Sequence, residues 1–468
     1  MQVTQAAICP SEASKRAGRP ALTPELLAAS GARYSRNNEG LGSILSKIDP
    51  ANLDKSVDSI FRMVDYGHQS IADMVPVALF IDGISIWLAY YIWALCPTAG
   101  GQESSTRYLR ISVDGLIPPE ALGISEREIP AWREQMLNCF QAYQAALEIW
   151  EDLARANPQI MGIPRSLLAD SSEASQKKVA RMRRNYAFDR ARYFLPVSAA
   201  TNVMLIMSAR GWVNLCQFLL SHPLPEPQKA GELIRTELEL AAPRMLKYAR
   251  CMEANQQRIA DEFKSLAQAA RCGAPVLGDE NGAEDAKPFL SVMTPEGVSQ
   301  RDVERDLSHH LNRYAPVGSS LQRIAVRFGW SAIGFGEIRD LNRHRTGTKY
   351  CPLVPQGFYF ASDQLPSEEQ AQKTKLLEQA RIGRLATGQA FEFLQRNEPS
   401  YIYWTLLGTE YPFEHVTTAD KFIYEAELRT GVGAHYRYAQ HLRDVLNLWY
   451  ETFPGTRQLI LEGSAEPE

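Results

Sequence analysis

No two of the seven cysteines (Cys9, Cys96, Cys139, Cys216, Cys251, Cys272 and Cys351) stand at CxxC spacing or at any regular interval. That argues against a disulfide frame or a cysteine zinc site and points to free thiols in a reducing compartment. Basic charge is not in excess either: 50 Lys and Arg face 54 Asp and Glu, for a net charge of -4. A nucleic-acid polymer needs a basic surface to neutralise its phosphates, so none is expected as the main partner. A small anionic ligand needs only a few local arginines and remains open. His309-His310 have no partners at metal-ligand spacing, so no metal is expected. The segment MQVTQAAICPSEASKRAGRP lacks a charged stretch followed by an apolar core. No secretory signal is therefore expected, and a cytoplasmic location is.

One long apolar run is present. PVALFIDGISIWLAYYIWAL, from Pro76 to Leu95, carries a single charge, Asp82, and is long enough to cross a bilayer. The Asp82-Gly83 pair near its middle and the lack of a basic flank argue against a membrane helix. The pattern predicts a buried strand around Val77 to Ile81, a break at Asp82-Gly83 and a buried helix from about Ile84.

A chain of 468 residues exceeds the size at which one core usually stops growing, so two domains are expected. The Gly-, Pro- and acid-rich stretch RCGAPVLGDENGAEDAKP predicts a linker over 271–288 between units 1–270 and 289–468. Each half mixes a few strands with long runs of helical periodicity, such as EIPAWREQMLNCFQAYQAALEIWEDLARA and SEEQAQKTKLLEQARIGRLATGQAFEFLQR. The predicted class is α/β of the α+β kind: two units, each a small mixed or antiparallel sheet wrapped by long helices. The halves also echo each other in order. TRYLR, RYFLPVSAATNV and SARGWVNLCQFLL in the first are answered by RHRTGTKY, EYPFEHVTTADKF and EAELRTGVGAHYRYAQHLRDV in the second, as a tandem duplication would leave them.

Directly after the apolar run, GQESSTRYLR (101–110) turns densely polar, as a ligand loop at the end of a core element does. Gly67-His68-Gln69-Ser70, Glu103-Ser104-Ser105-Thr106-Arg107-Tyr108, ARYFLP (191–196), Ser208-Ala209-Arg210 and ELIR (232–235) follow one another in an order that resembles the flavin-dependent thymidylate synthases. The second half resembles a degenerate copy that keeps Arg343-His344-Arg345.

The resemblance implies that Gln102, Glu103, Ser105, Arg107 and Arg192 bind a pyrimidine nucleotide, with Ser105 and Arg107 also acting in catalysis. A guanidinium gives bidentate bonds to phosphate, and a hydroxyl with a carboxylate can orient base and ribose. It further implies that His68, Ser70, Arg210, Arg343, His344 and Arg345 bind FAD, with NADPH and methylenetetrahydrofolate as co-substrates. Departures accompany it. The first copy has Leu95-Cys96-Pro97 or Ala94-Leu95-Cys96 where the family has Arg-His-Arg, Asp73 and Met74 for a Glu and a His, and Leu219 for a second phosphate arginine. The second copy shortens the nucleotide loop to Thr346-Gly347-Thr348-Lys349-Tyr350.

These complementary losses suggest that the first copy supplies the nucleotide loop and the second supplies Arg343, His344 and Arg345 to one composite site. The expected assembly is a homodimer with pseudo-tetrameric symmetry. Three functions follow: methylation of a dUMP-like nucleotide, a flavoenzyme acting on another substrate, or a non-catalytic relative that binds a nucleotide or a protein. For the helix-spaced polar set Glu427, Arg429, His435, Arg437, Gln440 and Arg443 two readings stand, a lining of the composite cleft and a solvated helix face, and the second is preferred.

Overall fold

The computed structural model describes every residue except 37, 39, 50–51, 66–67, 97, 107–110, 274–286, 432 and 465–468. The described chain forms two compact units: Met1–Ile129 with Ser198–Lys264, and Pro130–Val197 with Ser265–Glu468. The grouping is discontinuous where the sequence suggested a single cut. Residues 130–197, assigned above to the first unit, pack in the second. The cause is a shared core: Cys139, Ala142, Ala146 and Trp150 of helix Ile129–Ala156 and Ala187 and Ala191 of helix Glu173–Ala191 are buried in one cluster with Leu376, Ala380 and Ala386 of helix Gln370–Gln395. Most of the expected linker lies outside the described residues; helix Glu253–Cys272 runs into its start.

The first unit is built on β1 (Gln2–Ala6), β2 (Pro76–Ser85), β3 (Gly100–Glu103) and β4 (Ala200–Ser208), all antiparallel in the order β1-β2-β4-β3. The second is built on β5 (Pro288–Met293), β6 (Ala325–Gly334), β7 (Thr348–Tyr350), β8 (Gly357–Phe358) and β9 (Thr409–Thr418), with the order β5-β6-β9-β7 and β8 beside β9. The same topology twice is what a duplicated unit should give. β2 and β6 even share an irregularity, at Asp82/Ile84 and at Trp330/Ile333.

The expected break at Asp82-Gly83 is therefore a bulge within a continuous strand. Gly83 takes φ +67°, which a side chain disfavours, and pairing resumes at Ile84. The helix that follows, Ile86–Leu95, is apolar on all sides because it is buried on nearly all sides, and Ser85 caps it by accepting from the Leu88 N–H at 2.9 Å. Among the described residues no helix is long and apolar enough to cross a membrane.

Candidate functional site

In the second unit, β6 leads into the short helix Phe335–Leu341, which places Glu337 and Asp340 three residues apart on one face. Both meet Arg192, which lies in the 3-10 turn Arg192–Phe194 and is buried. Its Nη2 stands 3.4 Å from Asp340 Oδ2 and 3.6 Å from Glu337 Oε1. The other oxygen of Asp340 faces Arg343 Nη1 at 3.9 Å. Glu337 Oε1 also accepts from the Tyr193 hydroxyl at 2.8 Å.

The next residue of the Arg343-His344-Arg345 triplet is buried. His344 Nε2 accepts from Arg429 Nε at 2.6 Å, and Lys349 Nζ donates to the His344 carbonyl. His415 lies with Nδ1 3.0 Å from Glu425 and Nε2 2.7 Å from the Thr346 carbonyl. Arg345 is exposed. Thus the structure brings Arg192, Arg343 and His344 together around Asp340 and its helix, and the arginine assigned to nucleotide phosphate is engaged by carboxylates.

Burial sets the protonation of this cluster. It pushes Glu337 up to about 7, against the pull of Arg192, and Glu410 on β9 up to about 8. Asp340, whose side chain is 14% exposed, is held well below the usual carboxylate range by Arg192, Arg343, Arg339 and Arg429. His344 is pushed down to about 3 by burial, with Arg429 and Lys349 adding to it, so its imidazole is neutral. Burial alone holds His222 of the first unit down to about 3 as well.

These shifts oppose one another in stability. Glu337 and Glu410 bind a proton more tightly when folded, so their contribution is present at low pH and is lost as pH rises from 4.5 through about 7 and about 8. His222, His344 and His441 bind one less tightly, so theirs is present above 6.5 and is lost below it. For these five groups the expected stability maximum lies close to pH 6.5, with a fall on either side. Melting temperatures across that range check it; a monotonic profile would contradict the assignment.

In the first unit, β3 carries the polar segment. Gly101 lies so close to β4 that a methyl group would overlap the Met204 carbonyl and Leu205. Gln102 is exposed, Glu103 is 8% exposed, Ser105 is half-buried and Thr106 is buried. The Ser104 N–H donates to the Asn202 carbonyl at 2.9 Å, which fixes where the segment leaves the sheet. Arg107 lies outside the described residues. His68 and Ser70 are exposed at the start of the Ser70–Asp73 turn of helix. That turn is tied to the first residues of helix Ala209–Leu220, since Arg210 Nη1 stands 2.9 Å from Asp73 Oδ2. The Ser70–Asp73 turn and the Ser-Ala-Arg segment, 137 residues apart at this ion pair, are therefore neighbours. Where the family triplet would stand in this copy, Cys96 is buried and its thiol is pushed up to about 12. No group of three or more His, Cys, Asp or Glu among the described residues could hold a metal ion.

Residues 21–244 match the family model described as thymidylate synthase complementing protein. That part of the chain belongs to this family. The match spans β2, β3 and β4 and includes Glu103, Ser105, Arg107, Arg192 and Arg210. The chain is also 25% identical over 464 residues to UPF0159 protein Ta1429 of Thermoplasma acidophilum, an alignment covering 88% of this chain and 89% of that protein. The likeness thus extends through the second unit, beyond the family match.

Sequence reasoning missed Glu337 and Asp340, although two acids three residues apart in the stretch IGFGEIRDLN were a usable signal. It also misplaced the polar set near the C-terminus. Glu427 is buried, 2.9 Å from His310 Nε2, and it accepts from the Leu461 N–H at 2.8 Å. His435 is buried and Arg429 binds His344, so this is not a solvated face. Only its Gln440 is exposed, with Arg443 partly so beside Glu462.

Proposed function

We propose that the chain is a flavin-dependent methyltransferase of thymidylate-synthase type, acting on a dUMP-like pyrimidine nucleotide with methylenetetrahydrofolate as one-carbon donor. The observation that carries this reading is the family match across β3 and the Glu103–Tyr108 segment it launches. Arg107 would hold the nucleotide phosphate, and Ser105 would polarise the pyrimidine. Arg192 has a different part here. Its charge is already met by Glu337 and Asp340, so it positions the helix Phe335–Leu341 that precedes Arg343.

The residues present fit FAD in their chemistry. Arg345 is exposed and Arg343 is 31% exposed, which suits a diphosphate. His344 is neutral and engaged by Arg429, so it would hold the triplet in shape. A bound flavin, reduced by NADPH, would supply the hydride that methylation consumes. The reading includes a homodimer, which sedimentation would test.

A second reading, a non-catalytic nucleotide-binding relative, is favoured by the buried Cys96 in the first copy. The visible spectrum separates the two. After incubation with FAD and desalting, the enzyme reading expects flavin bands near one per chain, weakened in Arg345→Ala without loss of thermal stability. A colourless protein would remove it.

A further inference from the structure

A line of hydroxyl groups runs through the second unit from an exposed carboxylate to a buried one. Asp363, whose side chain is 42% exposed, accepts from the Tyr359 hydroxyl at 2.7 Å. The Tyr359 hydroxyl lies 3.3 Å from that of Tyr436, which lies 3.4 Å from that of Tyr193. Tyr193 donates to Glu337 Oε1 at 2.8 Å. The rings are held from the sides. Tyr193 meets Tyr359 edge-on with centroids 4.6 Å apart, Arg190 lies 4.4 Å over Tyr436, and Arg437 lies 4.2 Å over Tyr359.

We propose that Asp363, Tyr359, Tyr436 and Tyr193 form a proton-conducting chain that loads the buried carboxylate of Glu337 from solvent. Each phenol has one proton to give, so three hydroxyl protons serve the four oxygen–oxygen gaps named above. With both carboxylates ionised, Tyr359 points its proton at Asp363 and Tyr193 at Glu337. Tyr436 then has one proton for two neighbours. The distances match that state: the two gaps at the carboxylates are short, and both gaps at Tyr436 exceed the usual O–H···O length of about 2.8 Å.

One further proton completes the line. Once it sits on Asp363, the Tyr359 hydroxyl turns to Tyr436 and the Tyr436 hydroxyl to Tyr193, so that all four gaps are bridged in one direction; Asp363 then donates to Tyr359, whose own proton passes to Tyr436, whose proton passes to Tyr193, whose proton passes to Glu337. Every bond reverses direction, and the atoms and charge balance with one proton taken from solvent and one bound to Glu337. Glu337 is suited to receive it. Its Oε2 is buried without a hydrogen bond, and burial brings its titration to about 7. The groups facing it are Arg192 and Tyr193 from the 3-10 turn, Asp340 on its own helix, Glu410 on β9 and Arg437 at the start of helix Tyr436–Thr452. The inference does not depend on the chain binding flavin.

The test is a rapid pH drop through neutrality on the full-length protein, followed in the infrared by the band of a protonated carboxyl. The expected band is lost in Glu337→Gln, which separates it from Glu410; if that variant does not fold, Glu337→Asp should shift the band instead. Tyr436→Phe keeps the ring and its Arg190 contact, so the final amplitude should be unchanged while its rise slows by about tenfold or more. Asp363→Asn should slow it from the solvent end. Low concentrations of urea should leave the rate alone, since conduction needs no opening of the fold. The inference is overturned by a rise equally fast in Tyr436→Phe, by a band that survives Glu337→Gln unshifted, or by a rate that climbs with urea.

Discussion

Replacing Asp340 with alanine is expected to cost the full chain about 3–5 kcal/mol, the usual loss when a buried ion pair keeps one partner and loses the other. Arg192 is 4% exposed and would retain Glu337, 3.6 Å away, while Arg343 would lose its contact with Asp340. Asp340→Asn, which keeps the volume and removes the charge, should lose nearly as much. Asp152→Ala is the reference: its ion pair with Arg155 is 72% and 60% exposed, and such pairs contribute about 0–1 kcal/mol. Chemical denaturation of the three variants measures all of this. A loss under about 1 kcal/mol for Asp340→Ala would mean that the cluster is hydrated and that the description of its interior is wrong.

Gly101→Ala is expected to destabilise by about 2–3 kcal/mol, because the added methyl must displace backbone rather than a flexible side chain. The Met204 carbonyl and Leu205 lie in its path, so β3 has to move away from β4. Glu103 and Ser105 follow within four residues, so the same substitution should weaken dUMP binding by about tenfold or more. The second unit repeats the demand at Gly347, at φ +66° against the Val416 carbonyl. Gly42→Ala, in a helix with open space around the new methyl, should be neutral or slightly stabilising. Calorimetry for both variants, with dUMP titration, gives the comparison. Unchanged dUMP binding in a destabilised Gly101→Ala would detach the loop from the nucleotide.

Much of the fold was legible because its signals are periodic and local. The apolar spacing in EIPAWREQMLNCFQAYQAALEIWEDLARA corresponds to helix Ile129–Ala156, with Trp132, Met136, Cys139, Phe140 and Trp150 buried. The buried strand expected around Val77 to Ile81 lies within β2. What periodicity cannot carry is which elements meet. Nothing local in the first half says that helices between Pro130 and Val197 complete the core of the second unit. Nor could spacing reveal the partners of Arg192, since Asp340 lies 148 residues further along the chain. The polar positions from Glu427 to Arg443 looked solvated because a helical pattern shows which side is polar, and not that His310 and the backbone at Leu461 cover part of it. Of the nucleotide loop, the sequence pattern identified the segment, and the sheet explains its anchoring through Gly101 and Ser104.

The activity proposed above is methylation of a pyrimidine nucleotide with flavin chemistry. Its most direct test is the release of tritium from dUMP labelled at C5, with the full-length protein, FAD, NADPH and methylenetetrahydrofolate. Release is expected to require all four and to be abolished in Arg107→Ala, while the flavin spectrum of that variant stays intact. Retained flavin with no release under any of these conditions would contradict it.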